Sequence, residues 1–326
     1  PMPRAREHLV CVSDTPFYHV SSRCVRRAFL CGVDRYSGKS YEHRRGWIED
    51  RLRILASLFS IQLCAYAIMS NHYHLVVKLC PGESCSWSDD EVLARWTSLF
   101  KGPLLVQRYR AGRSLSGPEH DSLREIIGVY RRRLASLSWF MKCLNEPIAR
   151  RANAEDRCTG HFWEARFHSQ SLRSERALLA AMAYVDLNPV RAKMAVTPEQ
   201  SHYTSIRARI LGDQRRVVRC AVARLLKSKE LQHFDVSIRP LMPFADTAGS
   251  RNGARPGDVL PIGASQYVEL VNAAGCTVRT GAAGHLDPSL TPVLKRIGLS
   301  AEQWTNACIR FRDHYRNADL GLKQTA

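Results

Sequence analysis

Cys64-Ala-Tyr-Ala-Ile-Met-Ser-Asn-His-Tyr-His-Leu-Val-Val-Lys-Leu79 is the stretch on which the reading of this chain turns. Two apolar runs flank the turn-prone pair Ser70-Asn71, which predicts two neighbouring strands joined by a tight connection. His72 and His74 follow the turn directly. Residues two apart on a strand share a face, so both imidazoles project side by side, as half of a divalent metal site would require. Tyr73, Leu75, Val77 and Leu79 take the other face, where a core is expected. Twelve histidines among 326 residues give roughly 0.4 His-x-His pairs by chance, so the pair gains meaning only from its surroundings.

Working outward, Phe17-Tyr-His-Val-Ser-Ser-Arg-Cys24 alternates and is rich in strand formers, and it predicts a first strand. Helical spacing of Trp47, Ile48, Leu52, Ile54, Leu55 and Leu58 predicts a helix over 41–58. Residues 80–88 read as a loop, and Asp89-Asp90 as the cap of a helix reaching Phe100. Residues 103–160 read as mostly helical and basic, with a loop over 112–122. Gly160 to Gln170 alternates aromatic and polar residues and predicts another strand. Ser174 caps a helix that runs through Tyr184 to Asn188 and is stopped by Pro189. This order suits an α+β fold: a ferredoxin-like or RRM-like antiparallel sheet with helices on one face. The expected organisation is a core over 1–205 carrying a helical insertion at about 81–160. A helical extension over 206–244, a Gly/Pro/Arg-rich linker over 245–263 and a small helical module over 264–326 would follow.

Charge narrows the partners. Lys and Arg number 48 against 30 acids, a net +18 spread along the chain rather than packed into a tail. Such an excess fits a surface that meets a polyanion, nucleic acid first and an anionic membrane second. No basic amphipathic helix adjoins an apolar anchor, and no apolar run reaches the ~18 residues a span needs, so no membrane role is expected. Eleven cysteines, none spaced C-x-x-C, read as buried free thiols of a reducing cytoplasm.

Tyr184 and Asn188 lie four apart, so they share one face of their helix a turn apart. Ala177, Ala180 and Ala181 leave little bulk beside the tyrosine. A tyrosine with clear space near metal ligands fits covalent phosphoryl transfer. The plain alternative is a core tyrosine and a helix-capping asparagine.

Three ordered blocks carry a resemblance: Tyr66 to Val77, Gly160-His-Phe-Trp-Glu-Ala-Arg-Phe167, and Ala183-Tyr-Val-Asp-Leu-Asn-Pro-Val-Arg-Ala192. Together, over about residues 15–205, they resemble the REP-associated tyrosine transposases of the single-tyrosine His-hydrophobic-His (HUH) nuclease superfamily. The resemblance implies a metal-dependent enzyme, using Mg²⁺ or Mn²⁺, that cuts and rejoins hairpin-bearing single-stranded DNA through a 5′-phosphotyrosine. It implies His72 and His74 as metal ligands, Tyr184 as nucleophile and Asn188 in the place of the third ligand. Arg23, Arg26, Lys78, Arg166 and Arg191 are candidate phosphate contacts, and Trp163 a candidate stacking platform for unpaired bases. REP-like palindromes would be the partner in a bacterial, nucleoid-associated setting, with a monomer favoured over a homodimer. Asn188 stands where related enzymes often have Gln, and Ser21-Ser-Arg-Cys24 where relatives commonly carry Gly after the Arg. Two other readings stay open: a domesticated protein that binds DNA hairpins without cutting, and a metal-dependent RNA nuclease working through water.

Overall fold

The computed structural model describes residues 10–25, 30–34, 38–210, 231, 234, 239–246 and 258–280, the last with side chains to residue 275. Arg26, most of the helical extension expected over 206–244, most of the linker and everything beyond 280 lie outside the described residues.

Four strands form one antiparallel sheet: β1 (Phe17–Arg23), β2 (Ile61–Ile68), β3 (His72–Leu79) and β4 (His168–Ser171). Their order is β2-β3-β1-β4, the order of a ferredoxin-like α+β fold. The register places Ser21 opposite His74 and Arg23 opposite His72 across β1 and β3. On the far side of β1, Gln170 stands opposite His19 and His168 opposite Ser21. β2 and β3 form the expected pair around Ser70-Asn71, with one register shift between Leu63 and Ala65.

The sheet buries both faces. Tyr18 and Val20 of β1 and Tyr73, Leu75 and Val77 of β3 join Ile48, Leu52 and Leu55 of helix α1 (His43–Leu58) in the larger core. The insertion closes over this side with α2 (Pro81–Ser86), α3 (Asp89–Thr97), α4 (Leu104–Arg110), α5 (Gly117–Leu134) and α6 (Leu137–Glu155). Arg44, fully buried, donates to Glu155 at 2.7 Å and to Asp156, and so ties α1 to the end of α6. Burial of each such leucine contributes roughly 1.5–3 kcal/mol.

Helices are therefore not confined to one face. On the second face Ala65, Ala67 and Val76 meet α7 (Glu175–Arg191), joined by α8 (Ser205–Ile210) and α9 (Ala264–Thr280). Alanines on both partners, Ala65 and Ala67 below and Ala180, Ala181 and Ala183 above, let the helix settle close to the sheet. A tightly laid helix keeps its polar residues near the strand histidines.

Several boundaries differ from the sequence expectation for identifiable reasons. Residues 81–86 form a short helix with Pro81 in its first turn, where a missing N–H costs nothing. Ser88, not Asp89, caps α3, because its hydroxyl accepts from Glu91 N at 3.2 Å. Gly117 to Ser122 belongs to α5, opened by a capping box between Ser116 and Glu119. Pro147 sits inside α6. Pro189 does not stop α7, which runs to Arg191. Only one hydrogen bond of the last turn is forfeited there, and Ala192 N still reaches Asn188 O at 2.9 Å. The strand expected from Gly160 begins only at His168. Residues before it form a loop pinned by Val25 N to Phe162 O at 3.0 Å and Glu164 N to Arg23 O at 2.9 Å. The described cysteines are free thiols. No helix among the described residues is long and apolar enough to cross a membrane.

Candidate functional site

Strand alternation fixes which side chains look at α7. Val76 of β3 lies in the α7 core, so His74 and His72, two and four residues before it, share that face. Their cross-strand partners Ser21 and Arg23 face the same way, as does His19, opposite Val76. β4 adds His168 and Gln170 by the same rule. One sheet face thus gathers His19, His72, His74 and His168 beneath the last two turns of α7.

The rings interlock. His72 and His74 meet edge-on with centroids 4.8 Å apart. His74 meets the Tyr184 ring at 5.6 Å, also edge-on. His19 lies 5.2 Å from His74 in a near-parallel stack and 6.2 Å from Tyr184. The Arg191 guanidinium sits over the Tyr184 ring at 5.3 Å. Two hydrogen bonds engage the Nδ1 atoms: His72 Nδ1 to Asn71 Oδ1 at 2.6 Å, and His74 Nδ1 with His19 Nε2 at 3.1 Å. Tyr184 is 7% exposed, whereas His72, Arg23 and Arg191 are half-buried and His168 is exposed, so the site opens along that rim.

Electrostatics hold all three inner imidazoles neutral. Burial lowers His19 to about 3, helped by nearby His168. Burial likewise lowers His72 to about 3, with the Arg23 cation adding to it. His74 is pushed well below the ordinary value by burial, then by His72, His19 and Arg23. A neutral imidazole keeps the lone pair that a metal or a hydrogen-bond donor needs. Among the described residues no group of three or more His, Cys, Asp or Glu side chains is arranged to hold a metal ion. A donor set of two neutral imidazoles and one carboxamide still fits a divalent cation whose shell is completed by phosphate oxygens. Asn188, one turn beyond Tyr184, suits the carboxamide role. It is half-buried, and its Nδ2 is buried with no hydrogen-bond partner among the described residues.

Of the residues singled out from sequence, the fold gathers His72, His74, Tyr184, Arg23 and Arg191, with Asn188 on the same stretch of α7. It separates others. Lys78 shares the face but lies six residues along β3 from His72 and pairs with Asp258 at 3.2 Å. Arg166 is an exposed loop residue. Trp163 is on the opposite side: its ring meets Tyr73 edge-on at 5.7 Å, and its Nε1 donates to Asn145 O at 2.9 Å. Trp163→Ala is therefore expected to lower stability by about 2 kcal/mol while leaving affinity for a single-stranded oligonucleotide within about twofold. Paired urea melts and fluorescence-anisotropy titrations measure both, and a tenfold affinity loss without destabilisation would restore the stacking role. His19, His168 and Gln170 escaped the sequence reading. The signal was there in β1, whose alternate positions His19, Ser21 and Arg23 give one face an unusually polar run.

No family model matches the sequence, and no curated protein matches it. Among solved structures, that of a REP-associated tyrosine transposase bound to a REP hairpin is similar in outline. It is 8% identical, the match covers 61% of this chain and 81% of that one, and the TM-score is 0.36. The relationship is a distant structural one. What the site can do rests on its own residues.

Proposed function

We propose that this chain is a DNA transposase or endonuclease that cleaves and rejoins hairpin-bearing single-stranded DNA through a 5′-phosphotyrosine at Tyr184. One observation carries the reading. Tyr184 meets His74 at 5.6 Å, and His74 meets His72 at 4.8 Å, so a phenol and a pair of neutral imidazoles lie together on one face of the sheet. The net charge of +18 supports the reading, since a polynucleotide substrate needs many phosphate contacts.

In this reading Arg23 and Arg191, flanking the histidines and the tyrosine, hold the scissile phosphate by charge-assisted hydrogen bonds. The Tyr184 hydroxyl attacks phosphorus, a new P–O bond forms to the tyrosine, and the bond to the 3′ oxygen breaks. The tyrosine proton ends on that oxygen, leaving a free 3′-hydroxyl. The phosphodiester energy is kept in the phosphotyrosine, so attack by a 3′-hydroxyl reverses the step and rejoins strands. A Mg²⁺ or Mn²⁺ ion, when bound by His72 and His74 Nε2 and the Asn188 carboxamide, supplies Lewis-acid polarisation of a phosphoryl oxygen. Packing of α7 against the sheet keeps bulk water from the buried tyrosine and so protects the covalent link from hydrolysis.

The experiment is direct. The protein is incubated with Mn²⁺ and a single strand bearing a hairpin, labelled on the side that becomes 5′-linked. A denaturation-resistant adduct is expected, with the label on the tryptic peptide containing Tyr184. If wild type forms no adduct across a panel of hairpins that it binds, the enzyme reading fails and hairpin binding alone remains.

A further inference from the structure

Two imidazoles in hydrogen-bond contact share a single proton between the facing nitrogens, and its position decides which nitrogen of each ring keeps a lone pair. His72 shows one solution. Its Nδ1 faces Asn71 Oδ1 at 2.6 Å, and a carboxamide oxygen only accepts, so the proton is on Nδ1 and Nε2 keeps the lone pair. His74 Nδ1 faces His19 Nε2 at 3.1 Å. His19 is fully buried, stacked on His74 at 5.2 Å with an 18° tilt, and fixed by its place opposite Val76 in the strand register.

We infer that His19 is a positioning residue for His74: its Nε2 accepts the His74 Nδ1 proton, which fixes the tautomer and ring orientation that turn the His74 Nε2 lone pair into the site. The inference deepens the proposed reading of the site and rests on it for its purpose, though not for its geometry. Asn71 does for His72 what His19 does for His74. An outer partner of this kind sets the orientation and basicity of a ligating histidine without touching the substrate. Both acceptors come from the same small region, one from the β2–β3 turn and one from the neighbouring strand. Each Nε2 is thereby left with its lone pair.

The test needs no bound metal for its first arm. Nitrogen-15 spectra of the histidine rings in the full chain report which nitrogen of each carries hydrogen. Wild type is expected to show His74 protonated at Nδ1. His19→Phe keeps the stacked ring and the burial but removes the acceptor, and His74 is expected to shift to the Nε2-protonated or a mixed form. His19→Gln places a carboxamide oxygen near the Nε2 position and is expected to restore the wild-type signature. The second arm is Mn²⁺ affinity by titration calorimetry or electron paramagnetic resonance. His19→Phe is expected to weaken it about 10–100-fold and His19→Gln by no more than a few-fold. A wild-type His74 protonated at Nε2, or a His74 signature unchanged in His19→Phe, overturns the inference. If the tautomers behave as expected but wild type binds no Mn²⁺, the metal role in the proposed function falls and the positioning by His19 stands.

Discussion

Tyr184→Phe is expected to reduce the covalent DNA adduct to background, a loss on the order of 10⁴-fold or more, while hairpin affinity stays within about twofold. The asymmetry follows from what the ring and the hydroxyl each do. Phenylalanine keeps the edge contacts to His74 at 5.6 Å and to His19 at 6.2 Å and still lies beneath Arg191. Packing and the site's charge are preserved, and only the attacking oxygen is gone. The measurement pairs a gel assay for adduct with an anisotropy titration on one hairpin substrate. Cleavage that continues in Tyr184→Phe but stops in His72→Ala would replace the covalent reading with a nuclease that uses water. Equal adduct from both proteins would move the nucleophile elsewhere.

The sequence made half of this site legible, and the division has a physical cause. His72 and His74 were readable because period-two alternation is a local rule, and Tyr184 with Asn188 because a helical turn is another. Which strand lies beside β3 is a long-range fact. The pairing of Ser21 with His74 and Arg23 with His72 joins residues about fifty apart in the chain, and no local spacing encodes it. His168 was hidden for that reason, and the polar run of β1 that carries His19 pointed to no site until β1 lay between β3 and β4. Trp163 shows the reverse error. An aromatic between basic residues suggests stacking on bases, but the loop carrying it wraps to the Tyr73 side of the sheet. The α+β class was legible from element order alone. Coverage of the second face was less so, because an alanine-rich helix gives a weak amphipathic signal and α7 is buried along most of its length. Pro189 misled in the same way: its cost in the last turn is one hydrogen bond, which burial of Val185 and Leu187 outweighs.

The second large effect concerns the other side of α7. Asp186, two residues beyond Tyr184, is fully buried and accepts three hydrogen bonds. They come from Ser205 Oγ at 2.5 Å, Ile206 N at 2.9 Å and Tyr267 OH at 2.7 Å. One carboxylate therefore clamps α7 to α8 and α9, and it does so opposite the residues of the site. Asp186→Ala leaves the Ile206 N–H and the Tyr267 hydroxyl unmet, Ser205 still reaching Tyr66 O at 3.3 Å, and removes the negative charge near Arg209, so a destabilisation of about 3 kcal/mol is expected. Asp186→Asn keeps one acceptor oxygen and the shape, and about 1 kcal/mol is expected. The pH dependence separates the two effects. Burial raises the Asp186 carboxyl above its ordinary value, against the hydrogen bonds from Ser205 and Tyr267, which lower it. Between the unfolded value and the raised folded one, the native state binds the proton and the unfolded state does not. This group's contribution to stability is thus full below that window and falls as pH rises through it. Asp186→Asn, which cannot ionise, is expected to remove that part of the slope. Urea melts of wild type and both variants at several pH values from 4 to 7 measure it, using two-state fits where separate probes coincide. An Asp186→Ala protein as stable as wild type would mean that α9 docks through apolar contacts alone. The expected loss instead makes the clamp the device that holds α7, and with it Tyr184, in register over the strand histidines.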